Sequence, residues 1–215
     1  MDTIQQAYQY AVDHSDDFFK ALGTHVQLSF FALLVGMVVG LPLGILVSRS
    51  KVLSQVSVNL AGIVRVIPSL ALLFMLIPLL HTGFAPSLAA LSVLAIPPLL
   101  INTEAGMRGV DSAMLEAGRG MGMTTWGLLS KVQLPLALPV ILAGLRIAAI
   151  EVISSATLAA LIGGGGFGDF INAGLTRGRN EILLVGAIPV AVLALVVEVI
   201  LSYLQRVALR RRHTT

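Results

Sequence analysis

The chain has 215 residues, of which 56% are hydrophobic and only 12% charged, and its mean hydropathy is +0.92. Soluble domains carry about 25% charged residues, so this composition excludes an ordinary soluble protein and predicts an integral membrane protein. The lack of cysteine excludes disulfides, thiolate metal ligands and a cysteine nucleophile. The sequence pI of about 9.7 does not indicate a nucleic-acid partner, because the cations cluster at the ends of apolar segments.

Residues 1–25 form a segment of their own before the first long apolar run. Their apolar residues recur near helical spacing, which predicts a short amphipathic helix on the outer membrane surface. A poorly ordered terminus is the alternative. The segment is acidic where a secretory signal would be basic, so we do not interpret it as a cleavable signal.

Five apolar regions are long enough to cross a bilayer, which takes about 20 residues of helix. They cover residues 26–48, 57–80, 84–103, 134–162 and 182–204. We therefore predict an all-α membrane domain over residues 26–205 with five spans, or six if the glycine-rich segment after the fourth re-enters the membrane.

The cations outside the spans predict the orientation. With the N-terminus outside, nine cations fall on the inner side and three on the outer side, as the positive-inside rule requires. The inner ones are Arg49, Lys51, Arg108, Arg119, Lys131, Arg206, Arg210, Arg211 and Arg212, and the outer ones are Lys20, Arg177 and Arg179. The basic tail, 206–215, is then cytoplasmic.

The polar stretch EAGRGMGMTTWGLLSKVQLP, residues 116–135, lies on the inner side in this topology. Asp111 is a suitable N-cap for a helix beginning near Ser112, and Thr124 or Thr125 can cap a second short helix that Pro135 closes. Two short helices around a glycine turn form a compact knob, residues 111–130, which presents an apolar cluster typical of an interaction site. The cluster consists of Met121, Met123 and Trp126. A solvated linker with a buried tryptophan is the alternative.

The same stretch matches a known spacing, E-A-A, three residues, G, nine residues, I-x-L-P. The matching residues are Glu116, Ala117, Gly118, Gly122, Val132, Leu134 and Pro135, with Gly118 and Val132 as conservative departures. In this the chain resembles the permease subunits of bacterial ABC importers, whose cytoplasmic coupling loop, here 108–135, contains the pattern. Segments such as IPSLALLFMLIPLL, ILAGLRIA and ATLAALIGGGGFGDFI resemble the osmoprotectant branch, which imports glycine betaine, choline and carnitine.

The resemblance implies a multi-pass protein of the bacterial inner membrane with the type I importer fold. Its partners would be a second permease subunit, identical or paralogous, two ATPase subunits at the coupling loop and an external solute-binding protein. ATP and Mg²⁺ would bind the ATPase, so we expect neither catalysis nor a bound cofactor in this chain.

A set of ionisable and helix-breaking residues lies within the apolar regions or directly at their ends: Arg65, Pro68, Ser69, Glu104, Arg146, Glu151 and Glu198. Glu104 ends the third region, so we expect it at the membrane interface. Charges at membrane depth are costly and usually face a protein interior or water. They either pair structurally or line the path of the solute, and Glu151 is the strongest path candidate.

The glycine-rich segment IGGGGFGD contains the spacing G-x-G-x-x-G at Gly163, Gly165 and Gly168. A membrane span precedes it, so a dinucleotide site is not predicted. We interpret Gly163, Gly164, Gly165, Gly166 and Gly168 as a flexible outer turn with close backbone packing near the gate.

Two other functions remain open at this point: an importer permease for another small solute such as an amino acid, and a secondary transporter driven by an ion gradient. The second would show internal repeats, which the sequence lacks.

The predicted topology is testable because the chain has no cysteine. Single cysteines replacing Ser15 and Thr82 should react with an impermeant thiol reagent applied outside intact cells. A cysteine replacing Ser112 should react only after the membrane is opened. Outside labelling at position 112 would overturn the orientation and the assignment of the coupling loop together.

Overall fold

A computed structural model describes residues 3–212, and these residues form helices joined by short turns with no strand among them. The α-helices are α1 (Thr3–Asp13), α2 (Ser15–Val47), α3 (Lys51–Val66), α4 (Ser69–Leu80), α5 (Phe84–Arg108), α6 (Ser112–Gly120), α7 (Thr125–Leu128), α8 (Leu134–Ser155), α9 (Gly168–Arg177) and α10 (Asn180–Arg212). A π-helical turn, Leu129–Gln133, joins α7 to α8, and a 3-10 helix, Leu158–Ile162, follows α8.

Four helical stretches are long and apolar enough to cross a membrane: Ser15–Val47, Phe84–Arg108, Thr125–Ser155 and Asn180–Arg210. A fifth span results if α3 and α4, which bend by 90° at their junction, count as one. This agrees with the five predicted regions. The predicted sixth span is not found in residues 3–212, because α9 has only ten residues.

The N-terminal segment is helical from Thr3, but its boundary differs from the predicted one. The chain breaks at His14, and α2 then runs without interruption through residue 26, where the first span was predicted to begin. The eleven added residues contain Asp16, Asp17 and Lys20, so composition alone set the boundary too late. Residues 1 and 2 lie outside the described part of the chain.

The predicted break at Pro68 is present. Helix α3 ends at Val66, Ile67 is extended with φ −67° and ψ 120°, and α4 starts at Ser69. Proline disfavours the helical conformation in the residue before it and cannot donate to the helix. The two segments therefore meet at a sharp corner.

We predicted that Pro135 closes the second short helix of the knob, and this prediction is wrong. Pro135 lies in the first turn of α8, and the helix passes through it from Thr125 to Ser155. The π-helical turn just before it widens the backbone where the proline lacks an N–H donor, which lets the helix continue.

Helix α5 is the centre of the bundle. In its most apolar part 61% of the residues are buried, compared with 22–44% in the other three long stretches. Gly36, Gly40 and Gly44 of α2 face it at four-residue spacing. A Cβ added at Gly36 would lie 2.5 Å from the Ala95 Cβ, so only glycine permits this approach.

Helix α8 packs on another side of α5, and here too a glycine allows the close approach. A Cβ at Gly144 would lie 2.6 Å from the Asn102 Cβ and 2.9 Å from the Pro98 carbonyl oxygen. Helix α10 then packs against α8. The last predicted segment, 206–215, continues α10 as far as Arg212, and its final three residues lie outside the described chain.

We predict that Gly44→Ala destabilises the bundle. The added Cβ would meet the Thr103 Cβ at 2.6 Å and the Leu100 carbonyl oxygen at 2.9 Å, and a backbone atom cannot swing aside. The expected loss is roughly 1–3 kcal/mol, measured by thermal unfolding in detergent. Gly23→Ala, in the same helix with nothing within 4 Å of its Cβ, is the control and should not destabilise. Equal effects of the two substitutions would contradict the close α2–α5 contact.

Candidate functional site

The knob forms at its two N-caps, as predicted. The Asp111 carboxylate accepts from the Ala113 N–H at 2.9 Å, and α6 begins at Ser112. The Thr124 hydroxyl accepts from the Gly127 N–H at 3.2 Å and starts α7. Each cap satisfies a free donor in the first helical turn.

The turn between α6 and α7 is a Schellman motif. The Gly122 N–H donates to the Arg119 carbonyl at 2.9 Å, and the Met123 N–H donates to the Gly118 carbonyl at 3.1 Å. Gly122 has φ +81°, which L side chains rarely adopt, and nothing lies within 4 Å of an added Cβ. Within this chain Gly122 is therefore required by backbone conformation and not by the close approach of a neighbour.

Gly118 lies in α6 and is small because of a contact inside the knob. It is buried, and an added Cβ would meet Leu128 Cδ1 at 2.6 Å and the Met123 sulfur at 3.3 Å. The two short helices thus pack against each other over Gly118. Met123 belongs to this internal contact and is only partly exposed, which corrects its assignment to the presented cluster.

The exposed apolar side chains of the knob are Met121, Trp126 and Met114, at 77%, 73% and 50% exposure. Glu116 and Ala117 are also exposed beside them. Sequence reasoning missed Met114, although it shares one helical face with Ala117 and Met121 by the spacing i, i+3, i+7.

The base of the knob is tied to the spans. Leu129 is buried in one cluster with Met107 of α5 and Ala137 of α8, and Ile45 of α2 packs against it. Leu134 joins this cluster, Val132 is half-buried beside it, and Pro135 is exposed. The base of the knob is therefore in direct contact with three helices, α2, α5 and α8.

Among the intramembrane charges, Arg146 and Glu198 form an ion pair. Arg146 of α8 lies 3.5 Å from the Glu198 carboxylate of α10 and donates to the Ser202 hydroxyl at 2.9 Å. That hydroxyl in turn donates to Glu198 at 3.1 Å. This network links α8 to α10, as structural pairing predicts.

We expected Glu104 at the end of its helix, at the membrane interface. Instead, α5 continues for another turn to Arg108. The Glu104 side chain is buried, accepts a hydrogen bond of 2.5 Å from the Ser54 hydroxyl of α3, and lies 3.5 Å from Arg108. Glu104 therefore joins α3 to α5.

Glu151 remains apart from these pairs. It is half-buried on α8 and interacts electrostatically with Arg65, which is exposed at the end of α3. Pro68 and Ser69 form the corner just beyond Arg65. Within residues 3–212, the side chains of Arg65, Ser69 and Glu151 form neither a hydrogen bond nor a short ion pair, unlike the other charged members of the predicted path set.

The glycine-rich turn is tightly packed against its neighbours. Gly166 has φ +87°, and a Cβ there would lie 3.2 Å from His25 Nδ1. Gly164 and Gly168 face Ser87 and the Thr157 carbonyl too closely for any side chain, and Gly163 and Gly165 also have positive φ. The close backbone packing predicted for this segment is present.

His25 is the residue of this region that the sequence did not single out. It is completely buried in α2, and its Nε2 donates to the Ile153 carbonyl oxygen of α8 at 3.1 Å. Its ring also packs against Phe167. No local motif distinguishes it, since its neighbours come from distant parts of the chain.

A cavity of about 320 Å³ opens at the same end, between α1, the first turns of α2 and α9. Asp17, Lys20, Asp169 and Arg177 line it, with Tyr10 at its edge. Burial raises the pKa of the Asp169 carboxyl, and the charge of Lys20 opposes that shift. This end of the molecule is therefore rich in charge of both signs.

Comparison with known proteins identifies the family. Residues 32–211 match the family described as binding-protein-dependent transport system inner membrane component. The chain belongs to this family. A carnitine transport permease of Listeria monocytogenes is 45% identical over 84% of this chain and 83% of its own. A glycine betaine/carnitine/choline transport system permease of Bacillus subtilis is 41% identical over 86% and 85%.

Solved structures agree with the fold. The inward-facing methionine ABC transporter MetNI superposes with a TM-score of 0.78 at 23% identity, covering 89% of this chain and 95% of that one. An amino acid ABC transporter gives 0.71 at 22% identity, covering 94% and 97%. The chain has the fold of type I ABC importer permeases, as the coupling-loop spacing predicted.

We predict that the Arg146–Glu198 pair stabilises the bundle as a unit. Arg146→Met alone leaves the Glu198 carboxylate without its cation and should lower the thermal stability in detergent. Adding Glu198→Gln should recover part of the loss, with a coupling of about 1 kcal/mol, since both side chains are about one-third exposed. If the effects of the two substitutions on stability were strictly additive, the two side chains would not interact.

Proposed function

We propose that this chain is the membrane-spanning subunit of an ATP-driven importer for osmoprotectants of the quaternary-amine class: glycine betaine, choline, carnitine or a related compound. The observation that supports this most strongly is 41–45% identity, over 84–86% of the chain, to permeases named for carnitine, for choline and for all three solutes. The amino-acid alternative has weaker support, because those structural likenesses lie below 25% identity.

The chain's aromatic content supports a division of labour between subunits. A quaternary ammonium is recognised by aromatic faces or carboxylates. Only 6% of the residues are aromatic, and Tyr10 is already stacked on His14 with Arg179 over its ring. We therefore assign solute selection mainly to an external binding protein, which would dock at the charged outer end around Asp17 and Asp169.

The family and the exposed face of the knob support a proposed assembly of four membrane-associated subunits. Two permease subunits, identical or paralogous, would enclose the path, and two ATPase subunits would bind the knobs from the cytoplasm. ATP and Mg²⁺ would bind the ATPases and not this chain. Closure of the ATPases would displace the knobs, and Leu129 would pass that displacement to α2, α5 and α8.

The solute assignment is tested by uptake. The complete transporter with its own binding protein is produced in cells that lack other osmoprotectant uptake systems. We expect ATP-dependent uptake of at least one of glycine betaine, choline and carnitine, with competition by the others and none by methionine or histidine. Uptake of an amino acid that ignores all three amines would overturn the assignment.

The docking role of the knob predicts the effect of removing its exposed tryptophan. Trp126→Ala should leave membrane insertion intact, because the side chain is 73% exposed, and should weaken ATPase binding. Loss of an aromatic anchor typically costs about 2 kcal/mol, or roughly 30-fold in affinity. The measurement is the amount of ATPase that co-purifies with the permease, together with hydrolysis stimulated by the binding protein.

Two further variants sharpen this experiment. Glu116→Lys reverses an exposed charge beside the tryptophan and should act in the same direction. Tyr8→Ala removes an aromatic that is 72% exposed at the opposite end of the molecule and should leave ATPase binding unchanged. Normal attachment and hydrolysis in both knob variants would reduce the knob to a linker.

A further inference from the structure

Helix α3 has three distinct faces. Ser54 and Ala61 are buried against the bundle, while Val56, Leu60 and Ile63 form an apolar face with exposures of 52–63%. The third face is polar. It consists of Lys51, Gln55 and Asn59, which are exposed and spaced four residues apart, so they lie in one row along the helix.

The polar row starts before the predicted span 57–80 and enters it at Asn59, where a polar side chain is unusual in contact with lipid. Within residues 3–212, the side-chain amides of Gln55 and Asn59 have no hydrogen-bond partner. Hydrocarbon offers neither donors nor acceptors, so lipid against these amides would leave them unsatisfied. The adjacent apolar face suits lipid instead. The row therefore requires water or a polar partner.

A cavity of about 370 Å³ lies beside this row, between α3 and α5. Its lining combines the row with Ser54 and Val58 of α3 and with Glu104 and Arg108 of α5. Glu104 is buried and held by Ser54 and Arg108, so this wall has a fixed hydrogen-bonding arrangement. The cavity is large enough for a small hydrated solute.

The row also connects two charged regions. At a rise of 1.5 Å per residue, Asn59 lies about 12 Å along the helix from Lys51, and Arg65 about 21 Å. Arg65 interacts electrostatically with Glu151 of α8. The two neutral amides thus lie between Lys51, at the end that the loop cations assign to the cytoplasm, and the Arg65–Glu151 region, with only apolar residues and Gly62 between Asn59 and Arg65.

We propose that the Lys51–Gln55–Asn59 face of α3 lines the cytoplasmic half of the solute path and contacts water and the passing solute. The inference rests on the proposed function and adds the lining residues of its path. Amides donate to and accept from water and from a solute carboxylate or hydroxyl, yet they hold no charge that would trap a zwitterion. Weak, sequential contacts of this kind let a solute enter and leave.

Thiol labelling tests the proposal in this cysteine-free chain. Gln55→Cys and Asn59→Cys are each compared with the next residue at the same depth, Val56→Cys and Leu60→Cys. The reagent is a methanethiosulfonate with a trimethylammonium group, applied to the cytoplasmic side of the complete transporter in vesicles. A thiol must ionise in water to react, so positions 55 and 59 should label on the order of tenfold faster than 56 and 60.

Labelling at positions 55 and 59 should also block uptake, whereas labelling at 56 and 60 should not. Gln55→Leu and Asn59→Leu give an independent measure: uptake should fall severalfold while ATPase attachment stays normal, because the knob is untouched. Equal labelling of the two faces, or faster labelling at 56 and 60, would overturn the proposal. No labelling at 55 and 59 would overturn it too, since the face would then be covered.

Failure of this proposal is distinguishable from failure of the proposed function. Uptake of glycine betaine, choline or carnitine by the unmodified transporter tests the function alone. The labelling rates can be measured without knowing the solute. They report the water accessibility of the α3 face whichever compound is transported.

Discussion

The close contact between α2 and α5 is the constraint on which the rest of the structure depends. Gly36, Gly40 and Gly44 bring the backbone of α2 against Ala95, Leu99 and Thr103. In a membrane the packing of helices gains little from the hydrophobic effect, so close van der Waals contact supplies much of the association. With α2 fixed on one side and Gly144 of α8 on another, α5 has little freedom to tilt.

The remaining elements take their positions from this core. Ser54 reaches Glu104 from α3, and Arg146 reaches Glu198 from α8 to α10. The first of these polar links joins α3 to the central helix, and the second joins α10 to α8. The knob stands on the same core through Leu129, so the part of the chain proposed to receive the ATPase is supported by the most tightly packed helices.

Much of this arrangement could be predicted from sequence, because span length and helix capping are local properties. The apolar regions located all five spans, and the caps at Asp111 and Thr124 are formed by the residues expected. Boundaries were less predictable. Polar residues at Asp16, Asp17 and Lys20 mask the start of α2, since a helix can extend beyond its apolar part into the membrane surface.

Other features depended on contacts that no local pattern encodes. Pro135 is a strong helix breaker, but the π-helical turn before it removes the conflict. Gly118 is small because Leu128 and Met123 fold over it, and His25 meets Ile153 and Phe167 from 128 and 142 positions away in the chain. The pairing of Arg146 with Glu198 likewise required the packing of two helices that are separate in sequence.

The continuity of the helix from Thr125 to Ser155 has a mechanical consequence. Trp126 and Glu151 lie on one helix, about 46 Å long at 1.5 Å per residue, whose regular hydrogen bonding is interrupted at the π-helical turn Leu129–Gln133. A rotation of 10° about that turn would move the far end of α8 by about 6 Å, since α8 is about 33 Å long. A small displacement at the knob would thereby be enlarged near the Gly163–Gly168 turn, where the tight packing around His25 would have to yield.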